Sequence, residues 1–292
     1  MRPSVRSRAV VPAALAAASL GLVILLAAWA PWRARSYLGP EQAIGGGTAR
    51  PFVTFASDGA PTAVGVRLSA GALDGLPAAH NTHSRCFDVD GNGSHDAHEC
   101  IGDEERVLEL PAGLWRDTGL PFKWITLNWN ADGHLNSPYA HPHFDFHFFA
   151  VERQRIEAIR AGSCAELVDC EDFKRASRPV PALYLPEGHI DVGAVVPRMG
   201  NHLLDSRSPE LKDHAHFTRT FIYGAYDGEL IFWEPMITLD VLRAATDECF
   251  EIRQPRAFRQ AGYYPTQWCL RHEAESDART VTLERFVRAE AR

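Results

Sequence analysis

Residues 141–149 alternate between polar and aromatic side chains, in the order His-Pro-His-Phe-Asp-Phe-His-Phe-Phe. Because successive side chains of a β-strand point to opposite faces, one face carries only imidazoles and a carboxylate, and the other carries proline and phenylalanine. The polar face consists of His141, His143, Asp145 and His147. A strand face made entirely of metal-ligating and proton-transferring groups is uncommon. The pattern therefore predicts a strand that packs against a core on one side and forms a site on the other.

The rest of the chain favours a mainly β architecture. Its 292 residues, 46% of them hydrophobic, suffice for one domain with a sizeable core. Short β-type runs lie on both sides of the alternating segment, at residues 51–56, 62–68, 106–110, 122–129, 217–225 and 229–234. The last two are joined by Tyr226-Asp227-Gly228, where Asp-Gly supplies the positive φ of a tight hairpin. We predict a mainly β (α+β) fold, an antiparallel sandwich or barrel-like domain with a few peripheral helices.

The N-terminus carries a targeting signal. Arg2, Arg6 and Arg8 precede a nearly uninterrupted apolar run over residues 9–30, which is long enough to cross a bilayer and also resembles a signal peptide. The basic flank places the N-terminus in the cytoplasm, so the remainder is expected to be extracytoplasmic, either anchored in the membrane or secreted. The predicted division is a membrane anchor or signal peptide at 1–36, a linker at 37–50 and a β-rich domain at 51–292.

The charge of the exported part argues against nucleic acid as a partner. The whole chain has a net charge of −7, and its first 36 residues contain five arginines and no acidic residue, which leaves −12 on the remainder. Such a surface repels phosphate backbones, and no basic patch with interleaved aromatic residues offsets it. The partners that we expect are the membrane, through the N-terminal segment, and a small-molecule substrate of unidentified class. The sequence is also compatible with a homo-oligomer.

Six cysteines occur as three pairs that are close in sequence, in a chain bound for an oxidising compartment. Six cysteines allow fifteen connectivities, and we predict pairing in chain order. A thiolate zinc site is disfavoured because CxxC-like spacing is absent. The predicted disulfides are Cys86–Cys100, Cys164–Cys170 and Cys249–Cys269.

Residues 88–99 fit the calcium-loop pattern D-x-[DN]-x-[DN]-G-x5-E, with glycine at the sixth position, where the chain must turn sharply. The predicted calcium ligands are Asp88, Asp90, Asn92, Ser94, Asp96 and Glu99. The flanks do not read as a helix pair, and Cys86 and Cys100 bracket the loop, so we predict a solitary calcium loop closed by a disulfide. The alternative is an acidic turn that the disulfide alone holds.

The polar face of the alternating segment predicts a transition-metal site. Residues two apart on one strand face lie about 7 Å apart, whereas residues four apart lie about 13 Å apart, so the remaining ligands must come from other strands. The sequence offers His189, His202, His214, His216 and Glu234. Two histidines and a carboxylate suit iron, and three histidines suit catalytic zinc. We predict zinc or iron held by His141, His143, Asp145 and His202, with Glu234 and His147 as catalytic proton carriers. A hydrogen-bonded polar cluster and a metal-free proton-transfer site are the alternatives.

Four segments resemble an exported bacterial domain family of unassigned function. They are Trp129-Asn-Ala-Asp-Gly133-His134, Pro142-His143-Phe-Asp145-Phe-His147-Phe148, Gly200-Asn-His202 and residues 223–238, Tyr-Gly-Ala-Tyr-Asp-Gly-Glu-Leu-Ile-Phe-Trp-Glu-Pro-Met-Ile-Thr. The similarity spans residues 51–265. It implies a secreted or periplasmic β-domain with a metal-related site at His143, Asp145, His147, His202 and Glu234. The family pattern has proline shortly after the Gly-His pair, whereas this chain has Leu135-Asn136, which weakens the assignment of a role to His134.

Two functional hypotheses follow. In the first, the domain is a hydrolytic or oxidative metalloenzyme. An oxygenase would need an arginine to bind the carboxylate of a co-substrate, and Arg198 and Arg219 are the weak candidates for this role. In the second, the domain is a non-catalytic surface module for binding or assembly, stabilised by calcium and disulfides. Serine and cysteine nucleophiles are disfavoured because no Gly-x-Ser-x-Gly occurs and every cysteine has a near partner.

Overall fold

A computed structural model describes residues 35–78, 85–96, 99–101, 103–111, 113–134, 137–165 and 167–292. The predicted anchor or signal peptide at 1–36 lies outside these residues except for its last two. Among the residues described, no helix has the length and apolar character needed to span a membrane.

The first sheet joins the two ends of the described chain. Its strands are β1 (Arg35–Leu38), β2 (Gln42–Ile44), β3 (Gly47–Phe55), β4 (Pro61–Leu68), β13 (Glu248–Glu251), β14 (Gly262–Glu273) and β15 (Ala278–Ala289). Over the described residues they form an antiparallel sheet in the order β1-β3-β4-β15-β14-β13, with β2 beside β3. The hairpin formed by β14 and β15 therefore joins the N-terminal strands at β4.

The second sheet carries the alternating segment near its centre. Its strands are β5 (Glu104–Glu109), β6 (Trp124–Asn130), β7 (His143–Phe149), β9 (His189–Val196), β10 (Gly200–Asp205), β11 (Arg219–Tyr226) and β12 (Glu229–Thr238). Within the described part of the chain, the order is β5-β6-β7-β12-β11-β10-β9, and every pair is antiparallel. The predicted hairpin at Asp227-Gly228 joins β11 to β12.

The two sheets enclose a shared hydrophobic core, and this confirms the predicted mainly β fold as an antiparallel sandwich. Phe144, Phe146 and Phe148 of β7 are fully buried and belong to the same cluster as Val64 and Val66 of the first sheet. Burial of each such side chain stabilises the fold by about 1.5–3 kcal/mol. The aromatic half of the alternation therefore determines which face of β7 points inward.

Helices are short and lie between strands, together with a small strand, β8 (Ala161–Cys164). They are α1 (Leu114–Thr118), α2 (Arg153–Glu157), α3 (Cys170–Ala176), α4 (Pro209–Lys212) and α5 (Leu239–Arg243). The side chain of Asp169 caps α3 by accepting from the backbone N–H groups of Glu171 and Asp172. The peripheral helices of the predicted fold are thus present.

The predicted linker at 37–50 is wrong, because residues 37–38, 42–44 and 47–50 belong to β1, β2 and the start of β3. Gly45 and Gly46, which are typical of a flexible linker, instead form a tight turn between β2 and β3. Gly45 has a φ of +52°, and a Cβ there would lie 2.3 Å from the carbonyl oxygen of Asp74. A Cβ on Gly47 would lie 2.6 Å from the backbone nitrogen of Ala72. Glycine is therefore required by close packing and not by flexibility.

The described residues contain three disulfides, which are the ones predicted in chain order. They are Cys86–Cys100, Cys164–Cys170 and Cys249–Cys269. The last joins residues that lie directly opposite each other on β13 and β14. Three disulfides indicate an oxidising, extracytoplasmic environment.

Candidate metal centre

The polar face of β7 points away from the sandwich core but is buried all the same. His143, Asp145 and His147 are only 0%, 3% and 1% exposed. Buried polar groups are costly unless they have partners, so this cluster requires a chemical explanation.

One group of three side chains gathers on the outer faces of β7, β10 and β12. We call it the glutamate triad: His147, His202 and Glu234. The Nε2 atom of His147 lies 3.3 Å from Oε1 of Glu234, and Nε2 of His202 lies 3.9 Å from Oε2 of the same residue. One ligand atom from each residue lies within 4.8 Å of the other two.

The imidazoles of the glutamate triad are held in orientation by groups behind them. Nδ1–H of His202 donates to the carbonyl oxygen of Ala194 at 2.9 Å. Because Nδ1 then carries the proton, Nε2 of the neutral ring has a free lone pair on the side of Glu234. The Phe232 ring packs against the rings of both His147 and His202. Gly224 makes room for it, since a Cβ at that position would lie 2.0 Å from the Phe232 ring.

A second group lies at the other end of β7. We call it the aspartate triad: His134, His143 and Asp145. Nε2 of His143 lies 3.1 Å from Oδ1 of Asp145, and Nε2 of His134 lies 3.4 Å from Oδ2. Nδ1–H of His143 donates to the carbonyl oxygen of His141 at 2.6 Å, and Nδ2 of Asn130 donates to Oδ2 of Asp145 at 2.7 Å. These partners fix the orientation of the ring and of the carboxylate.

Four buried atoms of the two triads have no hydrogen-bond partner among the described residues. They are Nε2 of His143, Oδ1 of Asp145, Nε2 of His147 and Oε2 of Glu234. The close nitrogen–oxygen pairs at 3.1 and 3.3 Å are not aligned as hydrogen bonds. A tetrahedral ion with bonds of about 2.0–2.1 Å separates its ligand atoms by about 3.3 Å. The closest nitrogen–oxygen pair in each triad therefore has the spacing of two ligands in a metal coordination shell.

Burial shifts the pKa values of the glutamate triad toward neutral side chains. It lowers the pKa of His147 well below the usual value and that of His202 to about 4. Burial, followed by the charge of Asp145, raises the pKa of Glu234. Two neutral imidazoles thus present lone pairs, and Glu234 holds a proton that a bound cation would displace.

Asp145 behaves in the opposite way. Burial opposes its ionisation, but the neighbouring imidazoles of His143 and His134 outweigh burial and hold the pKa of Asp145 well below its usual range. Asp145 is therefore a carboxylate anion in the aspartate triad.

Both triads line one cavity of about 460 Å³. His134, Asp145, His147, His202 and Glu234 form its polar wall. Its apolar side chains include Val192, Met199, Leu204, Ile222 and Met236. A cavity of this size and composition suits a small molecule with an apolar body and a polar head.

The structure divides the ligand set that the sequence predicted. His143 and Asp145 lie in the aspartate triad, whereas His202 lies in the glutamate triad with both predicted catalytic residues, His147 and Glu234. The sheet register explains the division. His202 pairs with Gly224, Gly224 with Phe232 and Phe232 with Phe149, so His202 lies at the end of β7 that carries His147.

His141 lies outside both triads among the described residues. Its carbonyl oxygen supports His143, while its ring lies against His216 with the ring centroids 4.1 Å apart. His189 and His214 are also outside the triads.

His134, against which the family pattern argued, is a member of the aspartate triad. The chain between β6 and β7 folds back on itself, and the backbone N–H of His134 donates to the carbonyl oxygen of Tyr139 at 3.0 Å. Gly133 permits this close approach, because a Cβ there would lie 2.3 Å from the backbone nitrogen of His141. A histidine directly after a glycine turn and next to a site strand was the available signal.

The predicted calcium loop has a compact, internally hydrogen-bonded backbone. The N–H of Gly93 donates to Oδ2 of Asp88 at 3.0 Å, and Gly93 has a φ of +80°. Oε1 of Glu99 accepts from the N–H of Val89 at 2.7 Å. One oxygen from each of Asp88, Asp90 and Glu99 lies within 4.8 Å of the other two. The loop therefore brings together three of its six predicted ligands.

Comparison with known proteins does not identify this site. No protein-family model matches the chain, and no curated protein or solved structure does. The resemblance to an exported bacterial family stays a prediction.

Proposed function

We propose that this protein is an extracytoplasmic metal-dependent hydrolase that acts on a small molecule, with a catalytic zinc ion in the glutamate triad. The observation that carries the proposal is the convergence of three donor atoms from three strands, two of them on buried residues, on the wall of a cavity of about 460 Å³. Two histidines and one carboxylate leave coordination positions for water and substrate.

The surroundings of the cavity favour hydrolysis over oxygenase chemistry that uses a carboxylate co-substrate. Arg85 is the arginine among the described residues that line the cavity, and it is already paired with Asp103 at 3.0 Å and Glu105 at 3.5 Å. Arg198 lies over the Phe87 ring and Arg219 over the Phe250 ring. Neither of these two lines the cavity.

A zinc ion in the triad would lower the pKa of bound water and polarise a substrate carbonyl or phosphoryl oxygen. His147, His202 and Glu234 orient the donor atoms, and Phe232 shields the imidazoles on one side. The apolar side chains of the cavity wall would displace water from a bound substrate, which would strengthen electrostatic interactions at the ion.

Metal analysis of variants tests this proposal. Untagged protein is expected to contain zinc, and Glu234→Gln should lose the ion of the glutamate triad. Glu210→Gln is the matched control, because Glu210 is an equally buried carboxylate outside both triads. Equal zinc content in Glu234→Gln and wild type would contradict the assignment. Zinc without hydrolysis across a panel of phosphoesters, carboxylic esters and amides would favour the non-catalytic module.

We also propose a structural calcium ion in the loop at 88–99. Support comes from the converging oxygens of Asp88, Asp90 and Glu99 and from the left-handed Gly93 at the sharp turn. Calcium is expected to raise the melting temperature of wild type but not of Asp88→Ala. Asp58→Ala, which changes an acidic residue in another exposed turn, serves as the control. An equal calcium shift in wild type and Asp88→Ala would reject the site.

A further inference from the structure

The aspartate triad repeats the chemistry of the glutamate triad on the same strand and beside the same cavity. Each consists of two histidines and one carboxylate, and each has buried donor atoms without hydrogen-bond partners among the described residues. We propose that the aspartate triad binds a second divalent transition-metal ion, so that the protein holds a two-ion centre. This inference rests on the proposed function, because it adds a second ion beside the first.

The geometry of the aspartate triad suits an ion better than a hydrogen-bonded pair. Nε2 of His143 and Oδ1 of Asp145 are 3.1 Å apart, close to the separation of about 3.3 Å in a tetrahedral shell. The two atoms are nevertheless not aligned as donor and acceptor. One ligand atom from each of His134, His143 and Asp145 lies within 4.8 Å of the other two.

The groups behind the ligands are those that metal sites use. The carbonyl oxygen of His141 accepts from Nδ1–H of His143, which fixes the tautomer with Nε2 free to coordinate. The amide of Asn130 donates to Oδ2 of Asp145 and holds the carboxylate in place. Buried carboxylate ligands are commonly hydrogen-bonded in this way.

Strand geometry places the two triads side by side. Asp145 and His147 are two residues apart on one face of β7, so their Cα atoms are separated by about 7 Å. Members of both triads line the same cavity, so a single substrate can contact both ions. Paired ions of this kind stabilise the attacking and the leaving oxygen of one displacement.

The experiment is a Co²⁺ titration of untagged, metal-depleted protein, followed by visible absorption and by electron paramagnetic resonance. Wild type should bind two equivalents, and magnetic coupling between the ions should appear at full loading. Asp145→Asn and Glu234→Gln should each bind one equivalent without coupling. Loss of a ligand should lower the affinity for the affected ion by more than about 10-fold. Loss of a group that only supports a ligand already lowers metal affinity by about 10-fold or more. Glu210→Gln, the matched buried carboxylate, should bind two.

His134→Ala provides a second variant that perturbs folding less than a change at Asp145, because the His134 side chain is 45% exposed and that of Asp145 only 5%. This variant should bind the ion of the aspartate triad more weakly and the ion of the glutamate triad with unchanged affinity. If wild type binds only one equivalent, and this ion is lost in Glu234→Gln but retained in Asp145→Asn, the second metal site is refuted and the proposed function is not. One equivalent lost in both variants would show a single shared ion and overturn the inference. If wild type binds two Co²⁺ ions without magnetic coupling, the two-ion centre is refuted. If wild type binds no Co²⁺, both proposals are refuted.

Discussion

Replacement of His202 by glutamine should remove part of the pH dependence of folding stability in the metal-free protein. Burial lowers the pKa of His202 from 6.5 to about 4. Between these values the unfolded chain binds a proton that the folded protein does not, so the free energy of unfolding falls as the pH is lowered. At about 1.4 kcal/mol for each pH unit, the full effect is about 3 kcal/mol, and about 2 kcal/mol of it falls between pH 7 and pH 5.

Glu234 acts in the opposite direction and must be separated from this effect. Its raised pKa means that the folded protein keeps a proton that the unfolded chain releases, so its contribution is present at low pH and is lost as the pH rises. Wild type and His202→Gln both carry Glu234. The difference between the two proteins therefore isolates His202.

Urea unfolding followed by tryptophan fluorescence measures the effect, with both proteins stripped of metal in the same way. The free energy of unfolding of wild type should fall by about 2 kcal/mol more than that of His202→Gln between pH 7 and pH 5. His272→Gln is a suitable control, because His272 lies outside the triads. If wild type and His202→Gln change equally with pH, His202 is not held as a buried neutral imidazole, and the description of the glutamate triad fails.

Three further predictions concern the scaffold of the site. Gly224→Ala should displace the Phe232 ring, because the new Cβ would lie 2.0 Å from that ring. The affinity for zinc should therefore fall in a competition titration with a chromogenic chelator. An unchanged affinity would show that the ring does not position the histidines. Phe146→Ala should lower the free energy of unfolding by about 3–5 kcal/mol in urea titrations, since Phe146 is fully buried between the sheets. Replacement of both Cys249 and Cys269 by serine should cost about 3 kcal/mol in the same assay, because the disulfide spans a sequence separation of 20.

Much of the local structure could be predicted from the sequence. The alternation at residues 141–149 determined a strand with one aromatic and one polar face, because side-chain direction in a strand depends only on position along the chain. The Asp227-Gly228 turn and the three disulfides are also local signals, since the partners lie close together in sequence. The linker prediction failed because glycine-rich composition does not distinguish a flexible tether from a tight turn.

Tertiary structure alone decided how the functional residues group. His202 joins His147 and Glu234, and not His143, because the order β7-β12-β11-β10 and the strand register bring it to that end of the site. His134 reaches Asp145 because the chain after β6 folds back at Gly133. The sequence by itself determined which side chains can ligate a metal and which face of a strand they occupy. Which of them share an ion depends on contacts between strands distant in sequence, and the packing of the whole sandwich sets those contacts.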